Sequence, residues 1–237
     1  MKRLCFLLAV LLLTSIGTCP SALAVSYEFT NSNPNVNSEL NRGNAADYAV
    51  DFARKPGNTD DYASYGSGTL GGDCTNFVSQ VLRGGGMNFH GTKGSNIFTQ
   101  DWYYYGPNIP PATQPRTSTW TGAHEFRKHW GTVDGVGGKK AYQMVKYTNL
   151  EASNNFDSIY TELWPGDIIQ FTDANGLTGH SIVIWKYGMV DGVKTMNYAQ
   201  HSTDNGTWDW ALDLRTRLSN NKNNPGFTYT LKMRNGS

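Results

Sequence analysis

Cysteine is scarce in this sequence of 237 residues, and of its three cysteines only Cys74 lies beyond the apolar N-terminal stretch. A single thiol excludes an intrachain disulfide in the rest of the chain, and it also excludes a zinc site built from several thiolates. Histidine does not replace the missing ligands, because His124 and His129 are five positions apart and would point to different sides of a helix. We therefore expect no metal site.

An excess of charge is also absent, since 20 Lys and Arg residues face 19 Asp and Glu residues and no basic or acidic run occurs. Nucleic-acid binding depends on basic patches, so we expect no nucleic-acid partner. The apolar run from Leu4 to Leu13 is too short to cross a bilayer, so we also expect no stable membrane association.

The N-terminus has the features of a signal peptide. Met1-Lys2-Arg3 is positively charged, the apolar run follows, and Ala22-Leu23-Ala24 supplies the small-x-small pattern of a cleavage site. We therefore expect residues 1–24 to be removed after Ala24 and the protein to be secreted or held in the cell envelope. A lipoprotein anchored at Cys19 is the alternative, although Thr18 before it fits that motif poorly.

Residues 25–42 are rich in Asn and Ser, and we interpret them as a polar leader without a core of its own. Residues 43–237 then form one domain, in which helical spacing of apolar residues precedes strand patterns. The predicted helices run from Asn44 to Pro56, from Asp73 or Cys74 to Gly84, and from Ser118 to His129; the predicted strands are 167–171, 180–185 and 194–202. This order indicates an α+β fold, with N-terminal helices packed on a C-terminal antiparallel sheet.

Cys74 follows two glycines at the start of the second predicted helix, one turn before Phe77 and Val78. Backbone N–H groups at a helix N-terminus favour negative charge, which lowers a thiol pKa and increases its thiolate fraction. The position therefore favours a reactive nucleophile. An inert buried cysteine and an intermolecular disulfide are the alternatives.

A thiol nucleophile needs a nearby base, and the base needs a third group that orients its ring. His180 is the best candidate for the base because it opens an apolar strand directly after a Gly-containing loop. An exposed, idle ring is the alternative for such a position. His90 lies in a Gly-rich segment without a partner nearby in the sequence, which is typical of a surface residue.

The third group follows from the geometry of a predicted hairpin. Asp191-Gly192 is a strong signal for a two-residue turn, and it places Val190 opposite Val193. With that register His201 shares a face with His180, one diagonal step away, whereas Asn197 pairs with Lys186, roughly 20 Å along the strand. His201 is therefore the predicted third group and Asn197 the alternative, and a β-bulge would change this result.

Four segments carry a resemblance to a known family: GGDCTNFVSQ, WPGDIIQF, GHSIVI and AQHSTDN. Their order and spacing resemble those of the bacterial Putative amidase domain over residues 41–205. That family is related to NlpC-type and CHAP-type cell-wall cysteine hydrolases of the papain-like superfamily. The resemblance implies a papain-like fold in which Cys74 matches the nucleophile, His180 the base and His201 the polar third member.

The resemblance also implies an oxyanion or substrate contact before the nucleophile, for which Tyr62, Tyr65 and Asp73 are the candidates. Tyr62 is twelve residues before Cys74, as in NlpC-type relatives, and Tyr65 is the alternative. We thus expect residues 43–237 to be a cysteine amidase or peptidase domain that acts as a monomer, without a metal or organic cofactor.

The expected substrate is an amide bond of peptidoglycan stem peptides, and the sequence does not identify which bond. Two alternatives remain open. One is a secreted toxin or host-directed protease or deamidase of the same fold. The other is a non-catalytic wall- or glycan-binding module that uses the aromatic segment DWYYYG at residues 101–106.

Overall fold

A computed structural model describes residues 25–55, 61–65, 72–91, 100–104, 116–201 and 209–236. Within them, seven strands form one antiparallel sheet in the order β1-β2-β7-β3-β4-β5-β6. The strands are β1 (Ser26–Thr30), β2 (Gln143–Thr148), β3 (Ile168–Thr172), β4 (Thr178–Val190), β5 (Val193–Gln200), β6 (Asp209–Asp213) and β7 (Phe227–Lys232). The α+β expectation is therefore confirmed at the level of fold class.

Helices cover both faces of this sheet. They are α1 (Arg42–Phe52), α2 (Cys74–Gly84), α3 (Ser118–Thr121), α4 (Ala123–Trp130), α5 (Asn149–Asn154), α6 (Phe156–Glu162) and α7 (Leu214–Asn221). The order of helices before strands is wrong in detail, because β1 precedes α1 and three helices follow β2. None of the described helices is long and apolar enough to cross a membrane.

The predicted N-terminal helices exist, with two corrections. Helix α1 begins earlier than expected because Asn41 rather than Asn44 is the N-cap, and its side chain accepts a hydrogen bond from the Asn44 N–H. The third predicted helix is split into α3 and α4 at Gly122, whose extended backbone (φ −90°, ψ 120°) interrupts the helical hydrogen bonds.

Alternating apolar residues of the strands produce two separate cores. Ile168, Val183 and Ala199 point to the side covered by α1 to α4, which we call the α2 face. Ile169 and Ile182 point to the opposite side, which is covered by α5, α6 and α7 and which we call the α7 face. Each strand at the centre of the sheet is therefore buried on both sides. Successive side chains along a strand point alternately to the α2 face and the α7 face, so each contacts one of the two helix layers.

Residues 25–42 differ from the expected leader without a core. Ser26–Thr30 form the edge strand β1, which pairs with β2. The Asn31 and Asn33 side chains accept hydrogen bonds from backbone N–H groups two residues later, and Leu40 is fully buried against α2-face residues. The Asn-rich sequence thus supports tight turns and contributes to the core.

The β4–β5 hairpin forms as expected at its turn and deviates farther along. Asp191 and Gly192 both have positive φ (50° and 78°), as a two-residue hairpin turn requires, and Val190 pairs with Val193. The predicted register holds as far as Lys186–Asn197. A bulge at Trp185 then shifts the pairing by one residue, so that Ile184 pairs with Tyr198 and Val183 with Ala199.

Candidate active site

Cys74 is the first residue of α2 and is 5% exposed. Its thiol contacts three groups: the Thr75 hydroxyl at 3.7 Å, the Ser181 backbone N–H, which donates a hydrogen bond to it, and the imidazole of His180. Helix α2 therefore supplies the thiol and the Thr75 hydroxyl, and the first residues of β4 supply the other two groups that contact the thiol.

The pKa values of the two partners shift in opposite directions. Burial raises the pKa of the Cys74 thiol, but the hydrogen bond and charge of His180, with the hydrogen bonds from Thr75 and Ser181, outweigh burial and lower it below the ordinary value. Burial lowers the pKa of His180, but its interactions with Cys74 and Gln200 outweigh burial and raise it. Both shifts favour a thiolate–imidazolium pair.

Gln200 orients the imidazole of His180. The His180 Nε2 and Gln200 Oε1 atoms are 2.7 Å apart, and Gln200 is 4% exposed. An amide oxygen only accepts hydrogen bonds, so Nε2 must carry the proton and donate it. In the neutral ring the free lone pair is then on Nδ1, which leaves that nitrogen to accept the thiol proton.

A chain of hydroxyl groups holds the thiol against the sheet on the α2 face. Gln170 Nε2 donates to Ser181 Oγ at 2.9 Å, and Ser181 Oγ lies 2.9 Å from Thr75 Oγ1. Because the Gln170 Nε2 group can only donate, the simplest arrangement has Ser181 donating to Thr75 and Thr75 donating to the Cys74 sulfur. Such a chain stabilises negative charge on the sulfur.

The expectation that His201 orients His180 is wrong. His201 Nδ1 is 2.6 Å from Asp73 Oδ2, His201 Nε2 donates to the Phe52 carbonyl oxygen at 3.1 Å, and the ring stacks on Phe77. The bulge at Trp185 is the physical reason, because it shifts the pairing of β5 with β4 by one residue and so reverses which β5 side chains share a face with a given β4 side chain. Gln200 consequently shares the α7 face with His180, while His201 turns to the α2 face.

Asn197, the alternative third group, is also not placed beside His180. It pairs with Lys186 across the ladder, as the register predicts, and its side-chain amide reaches the Leu212 carbonyl oxygen at 3.5 Å. Six residues of chain separate Lys186 from His180 along β4, which corresponds to roughly 20 Å.

Asp73 does not face a substrate, contrary to the expectation for it. Its carboxylate is fully buried and accepts hydrogen bonds from the Tyr65 N–H at 2.7 Å and the Asn76 amide at 2.9 Å, besides its contact with His201. At the N-cap of α2 its side chain makes no cap hydrogen bond. Asp73 therefore fixes the segment before the helix rather than a ligand.

The two candidate tyrosines differ in exposure. Tyr65 is 1% exposed, with the Arg116 guanidinium 4.2 Å from its ring centroid, and burial raises its pKa. Tyr62 is half-buried, stacks on Trp120, and has a pKa raised to about 12, chiefly by burial. Of the two, only Tyr62 retains appreciable exposure for contact with a bound molecule.

Gln200 was missed because its neighbour is chemically more conspicuous. In the segment AQHS, histidine is the more familiar partner of a catalytic ring, and a hairpin without a bulge would place His201 on the same face as His180. The only sequence signal for Gln200 is its position in the alternation of strand residues between the two faces, and that alternation can be followed only if the bulge at Trp185 is known.

Among the described residues, no cluster of three or more His, Cys, Asp or Glu side chains could hold a metal ion.

In a comparison with protein families, the family model described as "Putative amidase domain" matches residues 39–228, which is more than half of the chain. The matched segment contains Cys74, His180 and Gln200. Comparisons with curated proteins and with solved structures give no match.

Proposed function

Since the chain belongs to the family of the Putative amidase domain, whose description indicates a hydrolase that acts on amide bonds, we propose that it is a cysteine-dependent hydrolase. Cys74 is the nucleophile, His180 the general base and acid, and Gln200 the group that orients His180. The observation that carries the proposal is the alignment of a thiol, an imidazole and an amide oxygen at the mouth of α2.

The geometry supports a two-step acyl transfer. His180 Nδ1 takes the proton of Cys74, and the thiolate attacks the carbonyl carbon of the scissile amide. The imidazolium then protonates the leaving amine, so the C–N bond breaks and an acyl-enzyme remains. Water, deprotonated by His180, releases the acid and restores the thiol. Gln200 keeps the ring in the tautomer that both steps need.

The oxyanion is the developing charge that the protein must stabilise. The N-terminus of α2 directs its backbone N–H groups toward the region of Cys74, and we assign the Cys74 N–H as one donor. Tyr62 is the better side-chain candidate for a second contact because Tyr65 is almost completely buried. Asp73, whose carboxylate is engaged inside the protein, is excluded from this role.

We propose a papain-like relationship and a cell-wall substrate, namely an amide bond in the stem peptides of peptidoglycan. The motif resemblance supports the relationship, and the signal-like residues 1–24, which lie outside the described residues, support action beyond the membrane. A glycan-binding module receives less support, because Trp102 and Tyr104 of the aromatic segment are buried rather than displayed.

Digestion of purified peptidoglycan, followed by mass spectrometry of the released muropeptides, tests this function. We expect the wild-type protein to produce new amine and carboxylate ends, and Cys74→Ala to produce none. Met189→Ala, a change at an exposed position near the tip of the β4–β5 hairpin, is the control. A Cys74→Ala protein that is folded and still cleaves would refute the cysteine mechanism, and cleavage of host proteins alone would favour the toxin alternative.

A further inference from the structure

Helix α7 places Arg217 over an aromatic ring that lies next to His180. Leu214 and Leu218 are the buried residues of this helix, and Arg217, three positions after the first, lies beside them. The guanidinium carbon of Arg217 is 5.1 Å from the ring centroid of Phe171 on β3. Phe171 in turn pairs with His180 across the β3–β4 ladder. The guanidinium and the imidazole are therefore neighbours of the same phenyl ring.

The rings of Phe171 and His180 are nearly parallel, with 20° between their planes and 6.4 Å between their centroids. An offset stack at this distance is a favourable arrangement of flat rings. Phe171 is 7% exposed, so water has little access to the contact. The stack thus gives the imidazole a second support besides the hydrogen bond with Gln200, and it holds the positive charge of Arg217 near the imidazole.

No bonded carboxylate neutralises the charge of Arg217. Within the described part of the chain, the guanidinium makes no ion pair, and its Nε atom is buried without a hydrogen-bond partner. Asp213, the N-cap of the same helix, uses its Oδ1 atom to accept the Thr216 N–H instead. A buried polar atom without a partner costs free energy, and a role in an active site is one reason for which such a cost is retained.

The groups around His180 act on it in opposite directions. Burial lowers the pKa of His180, the interactions with Cys74 and Gln200 raise it, and the charge of Arg217 lowers it again, with the raising effects prevailing. Tyr198, the titratable side chain of β5 on the α7 face, stays neutral because burial raises its pKa. Strand β3 carries no titratable side chain. Among the described groups, Arg217 is thus the cation that opposes the imidazolium.

We propose that Arg217 is a positioning residue for His180: held by Phe171 on the α7 face, its positive charge opposes the imidazolium and promotes transfer of the proton to the leaving amine. A general acid works best when it does not hold its proton too tightly. Cys74 stabilises the imidazolium while the thiolate is present, and a fixed charge of the same sign as the imidazolium limits that stabilisation. The inference deepens the proposed function, on which it rests, by naming a group that regulates its base.

The effect on His180 can be measured without catalysis in the full-length Cys74→Ala protein, so that a failure here is separate from a failure of the proposed hydrolysis. NMR follows the His180 imidazole as the pH is varied. Arg217→Gln should move the titration to higher pH, because a nearby positive charge disfavours the imidazolium. Arg217→Lys keeps the charge and should titrate like the parent protein. A titration that Arg217→Gln leaves unchanged or moves to lower pH would overturn the proposal.

Two further variants separate the local charge from packing and from net charge. Arg217→Met keeps an apolar stem against Phe171 and should move the titration as Arg217→Gln does. Lys222→Gln removes one positive charge from an exposed position at the C-cap of α7, and it should leave the titration unchanged. Thermal unfolding checks that each variant is folded. An equal shift in Lys222→Gln would assign the effect to net charge and contradict the role of Arg217.

Proton transfer to the leaving group provides a second test in the active protein. Arg217→Gln should lower kcat/KM about 3- to 30-fold for an amide substrate, whose amine must be protonated as it leaves. The matching nitrophenyl ester should lose less, because its leaving group departs as an anion. Arg217→Lys should recover most of the activity on the amide. A loss of equal size on the amide and the ester would indicate a merely structural role and contradict the proposal.

Discussion

Gln200 and His201 are neighbours in the chain, but they serve two different imidazole sites on opposite faces of the sheet. On the α7 face, Gln200 occupies one nitrogen of His180 and leaves the other for the thiol. On the α2 face, both nitrogens of His201 are engaged with oxygen atoms, from Asp73 and from Phe52. The first ring can exchange a proton with a substrate, whereas the second is closed inside the protein.

The difference indicates that proximity to the proposed nucleophile is not enough to give a histidine the geometry of a general base. Asp73, the partner of His201, is adjacent to Cys74 in the chain, yet its carboxylate is buried and occupied. A reacting ring needs one nitrogen held and one nitrogen free. His180 meets this condition and His201 does not, so the two sites should respond differently to mutation.

The largest expected effect is that of His180→Ala. Without the imidazole no group takes the proton of Cys74, and the hydrogen bond and charge that lower the thiol pKa are lost. We expect kcat/KM to fall by at least about 1,000-fold with little change in fold. The measurement is hydrolysis of one defined stem-peptide amide, after circular dichroism confirms the fold. Substantial residual activity would mean that another base operates.

Gln200→Ala should have the next largest effect on catalysis. The base remains but its ring can rotate, so kcat/KM should fall on the order of 10- to 1,000-fold while KM changes little. Gln200→Glu should partly restore activity because a carboxylate oxygen accepts the same hydrogen bond. Asn197→Ala, a change on the same strand away from the site, should remain near wild type. An unchanged kcat/KM in Gln200→Ala would mean that another group orients His180.

His201→Ala should reverse this pattern by reducing stability more than catalysis. The fully buried Asp73 side chain would lose its imidazole partner, and leaving a buried polar group unpaired costs about 1–3 kcal/mol of the free energy of unfolding. We expect kcat/KM per folded molecule to change less than about tenfold. Urea unfolding gives the stability and active-site titration the folded fraction. Loss of turnover in a fully stable His201→Ala protein would show that the two sites act together.

The α+β class, the helix that carries Cys74, and the hairpin turn were predictable because each depends on local sequence. Glycines end α2, apolar residues repeat at helical spacing, and Asp191-Gly192 selects a turn with positive φ. The proposed nucleophile and the proposed base follow from these elements. Their positions need no knowledge of long-range pairing beyond the contact of one helix with one strand.

The third group was not predictable, because it depends on a single extra residue in β4. One bulged residue moves every later side chain of the partner strand to the other face, so an error of one position exchanges Gln200 for His201. The position of Ser26–Thr30 as a strand was missed for a similar reason. Pairing with β2, about 115 residues later, determines it rather than the composition of the segment.

The pH dependence of thiol alkylation and of kcat/KM tests the role proposed for His180. The pKa of Cys74 is lowered and that of His180 is raised, and both shifts increase the population of the thiolate–imidazolium pair. Alkylation by iodoacetamide should therefore stay rapid below the pH at which an ordinary thiol ionises. In Gln200→Ala the imidazolium loses a hydrogen bond, so the alkaline limb of kcat/KM should move to lower pH. An unchanged limb would contradict the orienting role.

The smallest expected effect concerns a third histidine site, His90 and His129, for which the described residues supply no carboxylate hydrogen-bond partner like Asp73. Contrary to the expectation of a surface residue, His90 Nδ1 is 3.0 Å from His129 Nε2, and His129 Nδ1 donates to the Gln100 carbonyl oxygen. Burial, with the charge of Lys140, lowers the pKa of His90 to about 4; burial also lowers that of His129, to about 3. Both rings are therefore neutral in the folded protein near neutral pH.

Below about pH 6.5 the unfolded chain takes up protons on these rings before the folded protein does. Stability should therefore be fully present above that pH and should decline as the pH falls toward 4. We expect a loss of about 1–2 kcal/mol, a reduced value because His90 is partly exposed. Urea unfolding at pH 7 and pH 4.5 measures it. His129→Gln, which cannot titrate, should show a smaller difference between the two pH values, and an equal difference would place the acid sensitivity elsewhere in the protein.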